Sequence, residues 1–183
     1  ARAGRFAEAE AAYRRALKLK PGDAGVLNNL GNALGKLGRL EEGRDAYRQS
    51  LAIRPGHAST EINLGDALEK LEDHAGAEAA FRRALAAAAG DPVVLTGLGR
   101  ALLAQGRLEE TNAVASRALA MAPDDAGAHE ILGICHFLDG NFAEAWREYE
   151  WRWKSPADGR REAAGALWAG VPLAGKRVLV WGE

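Results

Sequence analysis

Four leucine–glycine pairs, Leu30-Gly31, Leu64-Gly65, Leu98-Gly99 and Leu132-Gly133, recur every 34 residues along the 183-residue chain. A fixed period of this size means that one short supersecondary unit is stacked on itself, because a unit so small cannot bury its own apolar face. The chain is thereby restricted to quasi-one-dimensional architectures, which build extended binding surfaces more often than reaction centres.

Other positions keep the same register. Pro21, Pro55 and Pro123 share one column, with Ala89 in the remaining slot. Tyr13, Tyr47, Phe81 and Tyr149 form an aromatic column interrupted by Ala115. Leu17, Leu51, Leu85 and Leu119 form an aliphatic column ending on Trp153, and Leu34, Leu68 and Leu102 form another ending on His136. Gly4, Gly38, Gly106 and Gly140 mark the middle of each unit, with Glu72 as the exception.

Leu27, Leu30, Leu34 and Leu37 sit at helical spacing, which predicts a first helix over about 24–36, stopped by Gly38. A second helix over about 40–53 ends before Pro55. Asp23, Asp91 and Asp125 stand where first helices begin, as acceptors for unpaired amides. The glycine column is expected to face Ala9, Gly43, Ala77 and Ala145, so that bulk there overpacks the seam by about 1–3 kcal/mol.

Charge and cysteine content exclude several classes. With 24 basic and 25 acidic side chains, the net charge of -1 offers no footprint for nucleic acid. No apolar run approaches the ~20 residues that span a bilayer, so no membrane insertion is expected. The single Cys135 rules out an intrachain disulfide and fits a reducing compartment, so a cytoplasmic location is expected. The chain opens mid-repeat without an initiating methionine, and is expected to be a piece of a longer protein.

Taken together, the columns resemble the tetratricopeptide repeat, whose pattern is a small residue after leucine, small residues in the second helix, an aromatic and a closing proline. The resemblance covers about residues 4–154 and implies an all-α fold. One second helix, at about 4–20, is followed by four helix pairs at about 24–57, 58–91, 92–125 and 126–154. A right-handed superhelix with the first helices on its concave face is what the family pattern implies.

Removing the packing columns leaves the first-helix positions expected to face inward. These are Asn28, Asn29, Asn32 and Lys36; Ile62, Asn63, Asp66 and Lys70; Thr96, Arg100 and Leu103; and Glu130, Ile134 and Phe137. Asparagine is a poor helix former, so three within five residues cost roughly a kcal/mol. Its amide donates and accepts, which suits gripping the backbone of an extended peptide. Asp66 and Arg100 would add charge selectivity. The bland alternative is that these amides only solvate an exposed helix face.

Asn29 and Asn63 lie 34 residues apart, each just before a leucine–glycine pair. Their placement is similar to the asparagine ladder in the repeat domain of O-GlcNAc transferases, and implies amides that hold a polypeptide along the superhelix. Only two rungs are present, because Gly97 and Ile131 occupy the next two positions. Asp66 departs from the lysine-rich clamp of chaperone-tail binders.

No catalytic constellation stands out. His129 and His136 are two helical turns apart, unlike one-turn metal chelates, and with Cys135 they read as packing residues. No metal, no cofactor and no active site are expected within the chain.

The C-terminal stretch changes character, since all five tryptophans follow residue 145. Ser155-Pro156 ends the repeats, residues 160–168 suggest a short helix, and Val178-Leu179-Val180-Trp181 reads as a buried strand. Trp168 to Val180 resembles a junction in bacterial repeat proteins that leads into a glycosyltransferase domain of the heptosyltransferase type. There Glu183 would open a Glu-Gln-Gly-x-Gly-Asp loop. Residues 155–183 are therefore read as a cap or linker with the first strand of a truncated domain. The resulting expectation is a protein- or peptide-binding module. The alternatives are an acceptor-presenting arm of a glycosyltransferase, and a scaffold that self-associates through its convex face or the Val178–Trp181 strand.

Overall fold

Each unit carries apolar residues at helical spacing on two segments, separated by a residue able to reverse the chain, and each segment folds as one helix. The computed structural model describes residues 2–151. Among them are nine helices and no strand: α1 (Arg2–Leu19), α2 (Ala24–Lys36), α3 (Leu40–Ile53), α4 (Ala58–Lys70), α5 (His74–Ala87), α6 (Pro92–Ala104), α7 (Leu108–Met121), α8 (Ala126–Leu138) and α9 (Phe142–Tyr149). The bounds of α2 and α3 coincide with the sequence expectation. The expected cap, short helix and strand beyond residue 154, and Trp153 of the leucine column, lie outside the described residues.

Aspartates start the helices as expected. Asp23 accepts from the Val26 amide (3.1 Å), Asp91 from Val93 (2.9 Å), and Asp125 from both Gly127 (2.9 Å) and Ala128 (3.1 Å). Asp73 caps α5 in the same way through Gly76 (2.9 Å), which the 34-residue register did not flag. Between paired helices the backbone turns through a left-handed residue: Gly38, Gly106 and Gly140 have φ of 78°, 72° and 78°, and Glu72 follows them at 60°. An L-residue adopts that conformation at a cost of roughly 1–2 kcal/mol. Gly4 is a correction, because it lies inside α1 rather than at a turn.

Each first helix packs most extensively on its own second helix, and second helices pack on the first helix that follows. The first helices α2, α4, α6 and α8 also touch one another in succession, whereas the second helices have no comparable contacts. Convergence on one side and splay on the other curve the stack into a solenoid with α2, α4, α6 and α8 along its inner wall. The core runs between the layers and centres on Phe81, 1% exposed, packed among Leu64, Leu68, Val94, Leu98 and Leu102.

The glycine column is a line of close approaches, and its first neighbour differs from expectation. A Cβ at Gly31 would lie 2.5 Å from the Tyr47 ring, and one at Gly65 would lie 2.7 Å from Phe81. The aromatic of the same unit therefore sets the limit there. Where Ala115 replaces that aromatic, Gly99 meets Ile131 instead, at 3.2 Å. The expected small-residue seam survives as backbone contact: a Cβ at Gly43 would lie 3.1 Å from the Gly31 carbonyl, and one at Gly133 would lie 3.3 Å from that of Ala145. No helix among the described residues is long and apolar enough to cross a membrane.

Candidate functional site: the concave groove

Helices α2 and α4 run side by side on the inner wall, so residues one period apart come face to face. A cavity of about 200 Å³ opens between them and brings together Asn32, Lys36, Asn63, Asp66 and Lys70, with Tyr47 at its base. Asn28 and Asn29, about one turn earlier on α2, adjoin it through Asn63. The Asn63 Nδ2 donates to Asn28 Oδ1 (3.0 Å), and Asn28 Nδ2 approaches Asn29 Oδ1 at a long 3.5 Å. The two asparagine rungs thus form one chain of amides across the repeat boundary, with Asn29 exposed at its end.

Tyr47 is the groove residue that sequence reasoning missed. Its aromatic column marked it as packing, and its ring is buried, but its hydroxyl donates to Asn32 Oδ1 (2.7 Å) at the floor of the groove. No feature of the 34-residue period announces that bond. Phe81, one unit on, has no hydroxyl and serves packing alone. Burial, and then the nearby charge of Asp66, pushes the Tyr47 phenol up to about 12. It remains a neutral donor throughout the physiological range.

Desolvation on the inner wall raises the Asp66 carboxyl above its ordinary value, while Arg100 and Lys70 pull it back. Glu69 is raised for the same reason. Arg100 reaches back from α6 to both carboxylates, at 3.1 Å from Glu69 and 3.6 Å from Asp66. Its charge is therefore engaged within the chain. Lys36 and Lys70 are exposed at the rim, and neither forms an ion pair among the described residues.

Beyond α4 the wall changes. Gly97 takes the ladder position in α6 because a Cβ there would lie 2.6 Å from the Phe81 ring, which fills the space an asparagine would need. Thr96, expected to face inward, is instead 5% exposed and donates its hydroxyl to Asp125 (2.9 Å), tying α6 to the cap of α8. Ile131 is buried at the fourth ladder position. Glu130 is exposed on α8, two units away from the cavity, and is not brought together with the other candidates.

His129, Cys135 and His136 occupy packing columns. His129 contacts the Glu148 carboxylate through Nδ1 and the Pro123 carbonyl through Nε2 (2.8 Å), and stacks on Trp151 with centroids 4.1 Å apart. Cys135 is 1% exposed, and burial raises its thiol above the ordinary value. Among the described residues no group of three or more His, Cys, Asp or Glu side chains is arranged to hold a metal ion.

The sequence matches the tetratricopeptide repeat family over residues 23–89, 68–111 and 96–160, and a TPR repeat over residues 2–38. No curated protein matches the chain. Among solved structures, MamA from Desulfovibrio magneticus RS-1 (residue 41 to the end) is 22% identical, with a TM-score of 0.77 over 85% of this chain and 90% of that one. YrrB, described as a TPR protein with an unusual peptide-binding site, is 21% identical, with a TM-score of 0.66 over 80% of this chain and 75% of that one. PilF of Pseudomonas aeruginosa is 16% identical, with a TM-score of 0.73 over 82% of this chain and 69% of that one. At these identities the likeness concerns the fold alone.

Proposed function

From the premise that the chain belongs to the tetratricopeptide repeat family, we propose that its concave groove binds an extended polypeptide segment of a partner protein. The observation that carries this reading is the amide chain from Asn29 through Asn28 to Asn63, adjoining a cavity floored by Asn32 and Tyr47. Backbone groups of an extended peptide alternate donors and acceptors, and side-chain amides can pair with both. Such a site reads the backbone first and the sequence second. Lys36 and Lys70 at the rim favour a ligand with acidic residues, while Arg100 holds Asp66 in check. Glu130 belongs to the C-terminal, more apolar end of the same groove. The peptide-binding site for which YrrB is described gives the proposal a precedent within this fold. Affinity is modest, since an extended ligand loses conformational freedom on docking.

A reducing, cytoplasmic setting is part of the proposal, supported by the lone Cys135. The glycosyltransferase-arm reading rests on residues 168–183, and no observation among the described residues favours it or the self-association reading over a binding module. The test is to select peptides from a random display library on the intact chain, then measure their binding to Asn29→Ala with Asn63→Ala. At least a tenfold loss with unchanged helical circular dichroism is expected. If binding survives, the ligand sits elsewhere.

A further inference from the structure

On the convex side, an ion-pair bridge recurs 68 residues apart. Between α1 and α3, Glu10 pairs with Arg39 (2.6 Å) and Arg14 reaches Glu42 (3.3 Å). Between α5 and α7, Glu78 pairs with Arg107 (2.7 Å) and Arg82 reaches Glu110 (3.3 Å). In both places a carboxylate from one second helix answers an arginine on the previous one and roofs the furrow between them.

The furrow between α7 and α9 carries Asn112, Ser116, Asn141 and Glu144 at these positions and has no such bridge among the described residues, and the furrow between α3 and α5 lacks it too. Its corresponding residues are Arg44, Arg48, Asp73 and Gly76. Arg48 therefore faces a glycine where Arg14 and Arg82 face a glutamate, and it makes no ion pair or hydrogen bond among the described residues. With the roof missing, an open cavity of about 410 Å³ remains, walled by Leu51, Leu64, Leu68 and Ala79 and edged by Arg48 and Arg83.

The same cavity is lined by a second departure. Glu61 stands in the column that holds Leu27 and Leu95, and is 3% exposed. Its Oε1 accepts from Arg83 Nε (2.9 Å), but its Oε2 is buried without any hydrogen-bond partner. A buried carboxylate oxygen is rarely left unpaired, since it has given up water for nothing. The furrow thus combines a cation lacking its carboxylate, a carboxylate oxygen lacking a donor, and an apolar floor.

We propose that this furrow is a second binding site, separate from the concave groove, that takes a glutamate-bearing segment of a partner polypeptide. The partner's carboxylate pairs with Arg48, in the place glutamate holds at the two sister furrows. Its aliphatic stem lies on the leucine floor, and a turn of the buried Glu61 carboxyl presents Oε2 to an adjoining backbone N–H. Charge supports this occupant: Arg83 is answered by Glu61 and Arg44, which replaces the glutamate of the sister bridges, is answered by Asp45 (2.8 Å), which leaves Arg48 as the cation in excess. A phosphate could meet Arg48, but it would leave the leucines uncovered and bring Glu61 no donor.

The test titrates the intact ¹⁵N-labelled chain with acetyl-Leu-Glu-Leu-amide and with its uncharged match acetyl-Leu-Gln-Leu-amide. The glutamate peptide is expected to shift the amides of Leu68, Gly76 and Ala79 saturably and to bind at least fivefold more tightly than the glutamine peptide. Arg48→Gln, a surface change, removes that preference. The Asn29→Ala, Asn63→Ala variant leaves the titration unchanged, which separates this site from the concave groove. Equal affinities for the two peptides, an unaltered preference in Arg48→Gln, no shifts at all, or shifts confined to the concave asparagines would each overturn the proposal.

Discussion

Replacing Gly97 by alanine tests why the asparagine ladder stops after two rungs. The added Cβ would lie 2.6 Å from Phe81 Cε1 and 2.7 Å from Cζ, whereas ordinary contact begins near 3.4 Å. The ring must therefore retreat by about 0.8 Å. It is 1% exposed and already rests on Gly65, so it has little room to do so. Overpacking of this kind costs about 1–3 kcal/mol. Alanine recovers up to about 1 kcal/mol over glycine in a helix interior. The net is a loss of about 1 kcal/mol, or a melting temperature lower by about 2–4 °C in a chain of this length. Gly35→Ala supplies the opposite sign, because no atom lies within 4 Å of its Cβ position and only the helical gain remains. In a Phe81→Leu background the cost of Gly97→Ala should vanish, since neighbours that share a contact are not additive. Thermal unfolding of the four variants by circular dichroism decides the matter. A Gly97→Ala chain stabilised as much as Gly35→Ala, or one whose cost persists without the Phe81 ring, would refute the reasoning.

Glu72→Gly relieves the left-handed strain at φ 60° and is expected to raise stability by about 1 kcal/mol, read as a higher urea midpoint at unchanged slope. Asp125→Ala removes the acceptor of two amides and leaves the buried Thr96 hydroxyl unpaired, so it should cost about 2–3 kcal/mol. Asp23→Ala, where the cap serves one amide and an exposed lysine, should cost about 1 kcal/mol or less in the same urea series. Tyr47 binds its proton more tightly folded than unfolded, so its contribution is complete below pH 10 and is lost as pH rises from 10 towards 12. Tyr47→Phe should flatten stability against pH in that window by one proton, and an identical slope in both chains would contradict the assignment.

The helix register was legible because it rests on local rules: leucine spacing, aspartate caps and a left-handed residue at each turn. The inward-facing set was legible in part, and Asn32, Lys36, Asn63, Asp66 and Lys70 do meet across one cavity. What stayed hidden depends on how one unit sits against the next. The Asn28–Asn63 bond, the Arg100 reach to Glu69 and the Thr96–Asp125 tie join residues about one period apart, and their geometry follows from the curvature of the stack. Tyr47 hides for a different reason: one side chain packs with its ring and donates with its hydroxyl, and the column records only the ring. The absence at Gly97 is readable once Phe81 is in view, as a steric limit on the ladder.

The most direct test of groove binding is to follow the side-chain amide signals of Asn29, Asn32 and Asn63 by NMR while titrating a display-selected peptide into the intact chain. The groove reading predicts that all three move saturably with one shared dissociation constant, and that Asp66 and Lys70 follow. Tight binding that leaves these three amides unmoved would contradict it.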